Sequence, residues 1–98
     1  METMSFTYAA TGVAAGRTVV GVVGSGDLQV LLEPAQGHSQ VRITTSVDGR
    51  SAVWAALLDR VFGSAALPAA RIEIDDCGAT PGVVRLRIEQ AFEEAGSA

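Results

Sequence analysis

Four consecutive residues combine small size with groups that could do chemistry: Gly24, Ser25, Gly26 and Asp27. They separate two apolar, β-branched runs, so they lie where the chain would reverse direction. Glycine accepts a positive φ angle and leaves space for an approaching group, and successive backbone N–H groups in such a turn can bind an anion. Both properties would suit a serine that is covalently modified through a phosphate. Turn chemistry alone, however, favours the simpler interpretation of a plain hairpin turn.

This serine does not fit any of three familiar motifs. A Walker A loop needs a Lys-Ser or Lys-Thr pair after its last glycine, whereas Val22 and Val23 follow Gly21. A dinucleotide-binding fingerprint would need a third glycine where Gln29 stands. A nucleophile elbow needs glycines two residues before and after the serine, and those positions hold Val23 and Asp27. The spacing therefore indicates neither a phosphate-binding loop nor a hydrolase elbow.

The other reactive side chains do not form a catalytic set. His38, the single histidine, lies in a predicted turn, and nothing positions it against Ser25 as a triad requires. Cys77 has no second cysteine for a zinc site, and its acidic neighbours disfavour a thiolate, so we expect a buried or half-buried side chain with a packing role only. Asp75 and Asp76 could pair as catalytic carboxylates, but such a pair more often ends a strand and caps a loop. A chain with one conspicuous serine and no supported base is better suited to being acted upon than to catalysis.

Composition narrows the class of protein. The chain has 98 residues, which predicts a single domain, and 48% of them are apolar, which indicates a globular fold. Its formal charge is −4 and it contains no lysine, so a nucleic-acid surface is not expected. One cysteine indicates a reducing compartment. No signal peptide or membrane span is recognisable, so we predict a cytoplasmic protein without membrane contact.

The pattern of apolar residues predicts five extended segments. Residues 2–8 alternate weakly, as an edge strand would, and residues 9–16 are small and glycine-containing, which suggests a mobile connection. Residues 17–23 and 28–33 flank the Gly-Ser-Gly-Asp sequence as the two strands of a hairpin. Residues 34–39 resemble a second turn. The alternation of residues 40–47 and 70–75 predicts two further half-buried strands.

Two segments have helical periodicity instead. The first spans residues 51–62, where Gly63 provides a stop, and its apolar stripe contains Val53, Trp54, Leu57, Leu58, Val61 and Phe62. Trp54 is thereby assigned to the core. The second follows the N-cap Thr80 and Pro81, and its stripe contains Val84, Ile88, Ala91, Phe92 and Ala95. Leu86 lies off this stripe and could face a partner. The element order predicts an α+β two-layer sandwich: a mostly antiparallel sheet of four to five strands with both helices on one face.

Three segments of the sequence resemble a known family: "GVVGSGDLQVLLEP", "QVRITTSVDG" and "IEIDDCGATPGVVRLRIEQAFEEA". They are similar, in the same order and over nearly the whole chain, to the acyl carrier (δ) subunit of bacterial malonate decarboxylase. A more distant resemblance exists to the acyl carrier (γ) subunit of citrate lyase, which is also an α+β chain. The resemblance implies that residues 1–98 form one acyl carrier domain that is not itself an enzyme.

The resemblance also implies a prosthetic group and a set of partners. The family's attachment serine matches Ser25, whose hydroxyl would carry 2'-(5''-phosphoribosyl)-3'-dephospho-CoA through a phosphodiester. The thiol of that group would hold acetyl or malonyl as a thioester while malonate is converted to acetate and CO2. The implied partners are the transferase (α) and decarboxylase (β and γ) subunits, a malonyl transferase, and a prosthetic-group transferase (holo-carrier synthase). Gly24 and Gly26 would leave Ser25 accessible, and Asp27 would orient the turn or be recognised by the transferase.

Two departures and three alternatives accompany this interpretation. Common acyl carrier proteins bear their serine in an Asp-Ser-Leu motif that opens a helix, so ordinary phosphopantetheinyl transfer is not indicated here. Cys77 stands where the malonate-type carriers usually have phenylalanine. The alternatives are a citrate-lyase-type carrier, a small regulatory or assembly domain in which residues 24–27 are only a turn, and a small hydrolase that uses Ser25 and His38.

Overall fold

The computed structural model describes residues 1–64 and 67–97, which form five strands and two helices. The strands are β1 (Glu2–Ala9), β2 (Thr18–Gly21), β3 (Asp27–Pro34), β4 (His38–Thr45) and β5 (Ala70–Cys77). The helices are α1 (Ser51–Ser64) and α2 (Pro81–Ser97). Every predicted strand and helix is therefore present. Among the described residues, no helix combines the length and apolar character needed to cross a membrane.

The strands form one sheet in the order β1-β4-β5-β3-β2. β2 pairs with β3, β3 with β5, and β1 with β4 in antiparallel fashion, whereas β4 and β5 are parallel. The parallel pair follows from the crossover through α1, since parallel neighbours cannot be joined by a tight turn. The predicted α+β class with a mostly antiparallel sheet is confirmed. β1 is an edge strand, as the sequence suggested.

A single face of the sheet carries the core. Alternate residues of β3, β4 and β5 are buried while the residues between them are exposed or half-buried, so both helices cover the same face. The predicted stripe of α2 is buried, with Phe92 half-buried beside it, and Trp54 is only 5% exposed. Tyr8 stacks on Phe62 with ring centroids 4.6 Å apart, and Phe92 meets Phe62 edge-on. These rings join β1 to both helices.

The prediction of a mobile connection over residues 9–16 was wrong. Ala14 is 4% exposed and belongs to the core, and its N–H donates to the carbonyl of Ala69 at 3.0 Å. In return the Ala69 N–H donates to the carbonyl of Gly12 at 3.3 Å. The small side chains that suggested mobility instead allow this segment to approach the start of β5 closely.

Several boundaries also differ from the predictions. β4 begins at His38 and ends at Thr45, so His38 is an exposed strand residue rather than a turn residue. β5 continues through the acidic pair to Cys77. β5 also separates β3 from β4 in the sheet, so the turn after Pro34 joins strands that are not neighbours.

Candidate functional site

Ser25 lies at an exposed corner of a tight turn. The Asp27 N–H donates to the Gly24 carbonyl at 2.9 Å, which closes a four-residue β-turn over residues 24–27, hereafter the serine turn. Gly26 has a φ of 74°, whereas no non-glycine residue of the described chain has a positive φ. This is the φ pattern of a type II turn, with Ser25 at its second position and the obligatory glycine at its third. Ser25 is exposed.

The two glycines of the serine turn have different physical roles. Gly26 is required by conformation, because its φ lies in the region that L-residues rarely adopt. Gly24 has no positive φ, and a Cβ there would meet only the Val22 side chain at 3.7 Å, which is ordinary contact. Backbone conformation therefore explains Gly26, whereas neither conformation nor crowding requires a glycine at position 24. The open space around both positions agrees with an accessible Ser25.

The serine turn is fixed to the end of β5. The Gly26 N–H donates to the Cys77 carbonyl at 2.7 Å, just beyond the pairing of Asp27 with Cys77. Cys77 itself is half-buried, as predicted, and its backbone carries this contact. The contact therefore involves the main chain of Cys77 and not its thiol.

A second attachment joins the serine turn to α2 through Asp27. Its Oδ2 accepts from Arg87 Nη2 at 2.8 Å, and its Oδ1 accepts from Arg87 Nε at 3.2 Å and from the Leu28 N–H at 2.7 Å. Both side chains are mostly shielded, with 22% of Asp27 and 28% of Arg87 exposed. The hydrogen bonds from Arg87, then that from Leu28, lower the pKa of Asp27, and the pKa of Arg87 is raised in return.

Gly21 makes room for this link. It has a φ of 78°, and a Cβ there would collide with the Leu28 carbonyl oxygen and lie 3.3 Å from Arg87 Nε. The end of β2 therefore passes so close to β3 and α2 that only glycine fits.

A buried carboxylate organises the neighbouring connection, residues 76–80, hereafter the Asp76 loop. Asp76 is 7% exposed. Its Oδ2 accepts from the Thr45 hydroxyl at 2.8 Å and from the Gly78 N–H at 3.2 Å, and its Oδ1 accepts from the Ala79 N–H at 3.0 Å. The prediction that this acidic residue caps a loop is confirmed. Asp75 points to the opposite, exposed face, so the two carboxylates do not form a pair.

Comparison with known proteins places these features in a family. The family described as "Malonate decarboxylase delta subunit (MdcD)" matches residues 15–95. Relatives named malonate decarboxylase acyl carrier protein, from Pseudomonas paraeruginosa and Pseudomonas syringae pv. tomato, are 57% and 56% identical over 97 residues, each covering 98% of both chains. The chain belongs to the malonate decarboxylase acyl carrier family. The resemblance recognised in the sequence is thereby confirmed.

The fold of this carrier-family chain is also that of a solved relative. One chain in the crystal structure of a Pseudomonas malonate decarboxylase hetero-tetramer in complex with malonate matches it with a TM-score of 0.95 and 54% identity. The match covers 98% of this chain and 100% of that one. The α+β sheet described above is therefore the architecture of that decarboxylase subunit.

Within this carrier, His38 is far from Ser25. His38 begins β4, which runs parallel to β5, so it lies level with the start of β5, whereas the serine turn lies at the other end. Eight residues of strand separate the two positions, or about 25 Å. The geometry is incompatible with a hydrolase that uses Ser25 and His38 together.

Sequence reasoning missed Arg87 in this carrier. The helical periodicity of this segment leaves Arg87 outside the buried stripe of α2, which is correct, but it does not reveal the partner of Arg87. The contact with Asp27 spans 60 positions along the chain. Leu86 is 62% exposed, as the stripe predicted.

Proposed function

We propose that this chain is the acyl carrier subunit of a malonate decarboxylase and that Ser25 is where its prosthetic group is attached. The observation that carries the proposal is the position of Ser25 on the exposed corner of a turn that is anchored to both β5 and α2. A hydroxyl presented in this way is accessible to a modifying enzyme and is held in a defined place.

The surroundings of Ser25 fit a bulky phosphodiester. Nothing lies within 4 Å of a Cβ built on Gly26, and Gly24 has only the Val22 side chain near it. Among the described residues, no hydrogen bond engages the Ser25 hydroxyl. The oxygen that would form the ester is therefore free to react, and 2'-(5''-phosphoribosyl)-3'-dephospho-CoA could be joined there without displacing a side chain.

The loading reaction needs an activated donor and a base. In our proposal the Ser25 Oγ forms a bond to the phosphorus of a polyphosphate-activated donor, and the bond from that phosphorus to the leaving polyphosphate breaks. The hydroxyl proton passes to a base of the prosthetic-group transferase. Asp27 is poorly suited to be that base, because its pKa is lowered and both its oxygens accept hydrogen bonds.

The carrier contributes attachment and delivery rather than catalysis in this proposal. The bound group would supply a terminal thiol whose acetyl or malonyl thioester stabilises negative charge at the α-carbon when CO2 leaves. The chain's own role is to present that group in turn to the transferase (α) subunit, the decarboxylase (β and γ) subunits and the malonyl transferase. A tethered substrate reaches a high local concentration at each site. We place this work in the cytoplasm, on residues 1–98 as one carrier domain.

Intact mass measurement after co-expression with the prosthetic-group transferase tests the proposal. We expect one adduct with the mass of the phosphoribosyl-dephospho-CoA group. Cleavage after Arg17 and Arg42 should release it on a single peptide, and fragmentation should assign it to Ser25. The Ser25→Ala variant should fold and remain unmodified.

The matched control is Ser46→Ala, which removes another exposed serine at the same end of the sheet. This variant should be loaded like the wild type. An adduct that persists in Ser25→Ala would contradict the proposed attachment site. An unmodified wild-type chain in the presence of an active transferase would instead favour a regulatory or assembly domain.

A further inference from the structure

The two arginines of α2 that flank Leu86 have different surroundings. Arg85 is 57% exposed and pairs with Glu89 one turn further along the same helix. Arg87 is 28% exposed and leaves its own helix to bind Asp27 in the serine turn. The first pair is a local surface pair of the kind that contributes little. The second connects two elements that are distant in sequence.

Arg87 is held in one orientation by its partners. Its Nε and Nη2 donate to the two oxygens of Asp27, and its Nη1 donates to Gln90 Oε1 at 3.2 Å. A planar guanidinium that forms two parallel bonds to a carboxylate fixes the geometry of both groups. Because Gly21 has no side chain, the backbone of β2 leaves space beside Arg87 Nε.

The orientation of Asp27 passes directly to Ser25. The Asp27 N–H closes the serine turn on Gly24, and its carboxylate oxygen accepts from the next N–H along the chain, that of Leu28. A rotation of Asp27 would therefore disturb both the hydrogen bond that defines the turn and the start of β3. The guanidinium of Arg87 opposes that rotation.

We propose that Arg87 is a positioning residue for the modification of Ser25, acting through Asp27. The inference rests on the proposed function, since it concerns the same loading step. Arg87 would affect this step in two ways. The two parallel hydrogen bonds from its guanidinium to Asp27 hold the serine turn in the conformation that presents the hydroxyl. Its positive charge compensates the carboxylate of Asp27, which lies two residues from the serine. Without that compensation, Asp27 would repel an anionic polyphosphate donor and the phosphodiester product.

Loading kinetics with the purified prosthetic-group transferase, followed by intact mass, test the inference. We expect Arg87→Gln to lower kcat/KM for loading by about ten- to a hundredfold, the order of effect that misplacement of a reacting group produces. Arg87→Lys keeps the positive charge but cannot form two parallel hydrogen bonds to Asp27, so kcat should fall while the KM for the donor stays near that of the wild type. Arg85→Gln, the matched control, removes the same charge from the neighbouring surface pair and should load normally.

A double variant separates compensation of charge from simple structural support. Asp27→Asn with Arg87→Gln removes both charges, so the KM for the donor should recover part of the loss seen in Arg87→Gln alone. A role limited to stability would not give this recovery. Hydrogen exchange of the Asp27 amide gives a readout independent of loading, and it should be faster in Arg87→Gln because the closing bond of the turn is less protected.

The outcomes distinguish this inference from the proposed function. If the wild type is loaded on Ser25 and folded Arg87→Gln is loaded at the same rate, the positioning role is wrong and the attachment site stands. If the wild type is never loaded, both fail. Should Arg87→Gln not fold, Asp27→Asn tests the same link from the turn. A wild-type kcat for loading in that variant would overturn the inference, because loss of the carboxylate breaks the contact with Arg87, whereas the repulsion that is removed with it acts on the KM for the donor.

Discussion

Two aspartates at the same end of the sheet form contacts of different kinds. Asp76 is 7% exposed, and its partners are a hydroxyl and two backbone N–H groups. Asp27 is 22% exposed, and its main partner is the charged side chain of Arg87 on α2. The buried carboxylate organises a connection of the fold, whereas the more exposed one orients a turn that carries the proposed site.

The position of the serine turn depends on the Asp76 loop, whereas the loop does not depend on the turn. Asp76 fixes the loop through which β5 leads into α2, so it contributes to the position of that helix and hence of Arg87. Cys77, the next residue, also holds the serine turn through its carbonyl. Disruption of the Asp76 loop should therefore reach the serine turn. Disruption of the serine turn should leave the loop and the core intact.

Removal of the buried carboxylate of Asp76 should destabilise the protein more than any other substitution considered below. Asp76→Ala leaves the Thr45 hydroxyl and the N–H groups of Gly78 and Ala79 without their acceptor. We expect the free energy of unfolding to fall by about 3 kcal/mol, as measured by urea denaturation. Asp76→Asn should restore only part of it, because an amide NH2 group would face at least one of these donors.

The control for this variant is Asp75→Ala, which truncates the adjacent carboxylate on the exposed face. Its free energy of unfolding should stay within about 0.5 kcal/mol of the wild type. Equal losses in the two variants would show that the Asp76 contacts do not hold the loop, and the proposed order of dependence would then be wrong.

The contrast between the two aspartates also shows which features could be predicted from the sequence. The β2–β3 hairpin, the start of α2 after Thr80 and the capping role of Asp76 depend on residues a few positions apart, so their patterns are visible locally. The Thr80 hydroxyl indeed accepts from the Val83 N–H, although at 3.4 Å. The family resemblance adds the expectation that Ser25 is the attachment site, whereas turn chemistry alone favours an ordinary turn serine.

Other features depend on residues that meet only in the folded chain. β5 lies between β3 and β4 in the sheet. The periodicity of apolar residues predicts the strands but does not specify their order in the sheet. Ala14 joins the core because it meets Ala69, and Arg87 binds Asp27 across 60 positions. Small residues in 9–16 and an arginine beside a helical stripe are each typical of solvent-exposed segments, so these contacts could not be anticipated.

One glycine in each of the two regions allows a direct test of how they differ, and its substitution should cost less stability than the loss of Asp76. Gly26 in the serine turn and Gly78 in the Asp76 loop both have positive φ, at 74° and 82°, with nothing within 4 Å of a built Cβ. Alanine at either position should therefore lower the free energy of unfolding by a similar amount, about 1–2 kcal/mol. Gly26→Ala should slow the loading of folded protein more than Gly78→Ala does, because Gly26 adjoins Ser25 whereas Gly78 acts on the serine turn only through the Asp76 loop.

Gly24→Ala is the companion variant to these two. Neither its φ nor its surroundings require glycine, so its stability should stay within about 0.5 kcal/mol of the wild type. If Gly24 serves access, loading should nevertheless slow, because a methyl group is added beside the hydroxyl. Normal loading of Gly24→Ala would show that access to the Ser25 hydroxyl does not require a glycine at this position.

The acid titration of Asp27 should change only slightly when Arg87 is replaced. Hydrogen bonds from Arg87 lower the pKa of Asp27 below its ordinary value of 3.8, so the folded state favours the carboxylate more than the unfolded state does. The resulting stabilisation is present above that ordinary value and is lost as the pH falls through the lower, folded pKa. In Arg87→Gln the hydrogen bonds and the charge of Arg87 are absent, and the Leu28 N–H is the one remaining cause that lowers the pKa of Asp27, so that pKa should rise towards 3.8. Carboxylate-detected NMR would measure the pKa of Asp27 in both proteins. Added salt should reduce the difference between variant and wild type, because the ion pair is partly exposed.

An identical pKa of Asp27 in both proteins would mean that the two hydrogen bonds from Arg87 to Asp27 do not persist in solution. The two aspartates would then differ only in their burial.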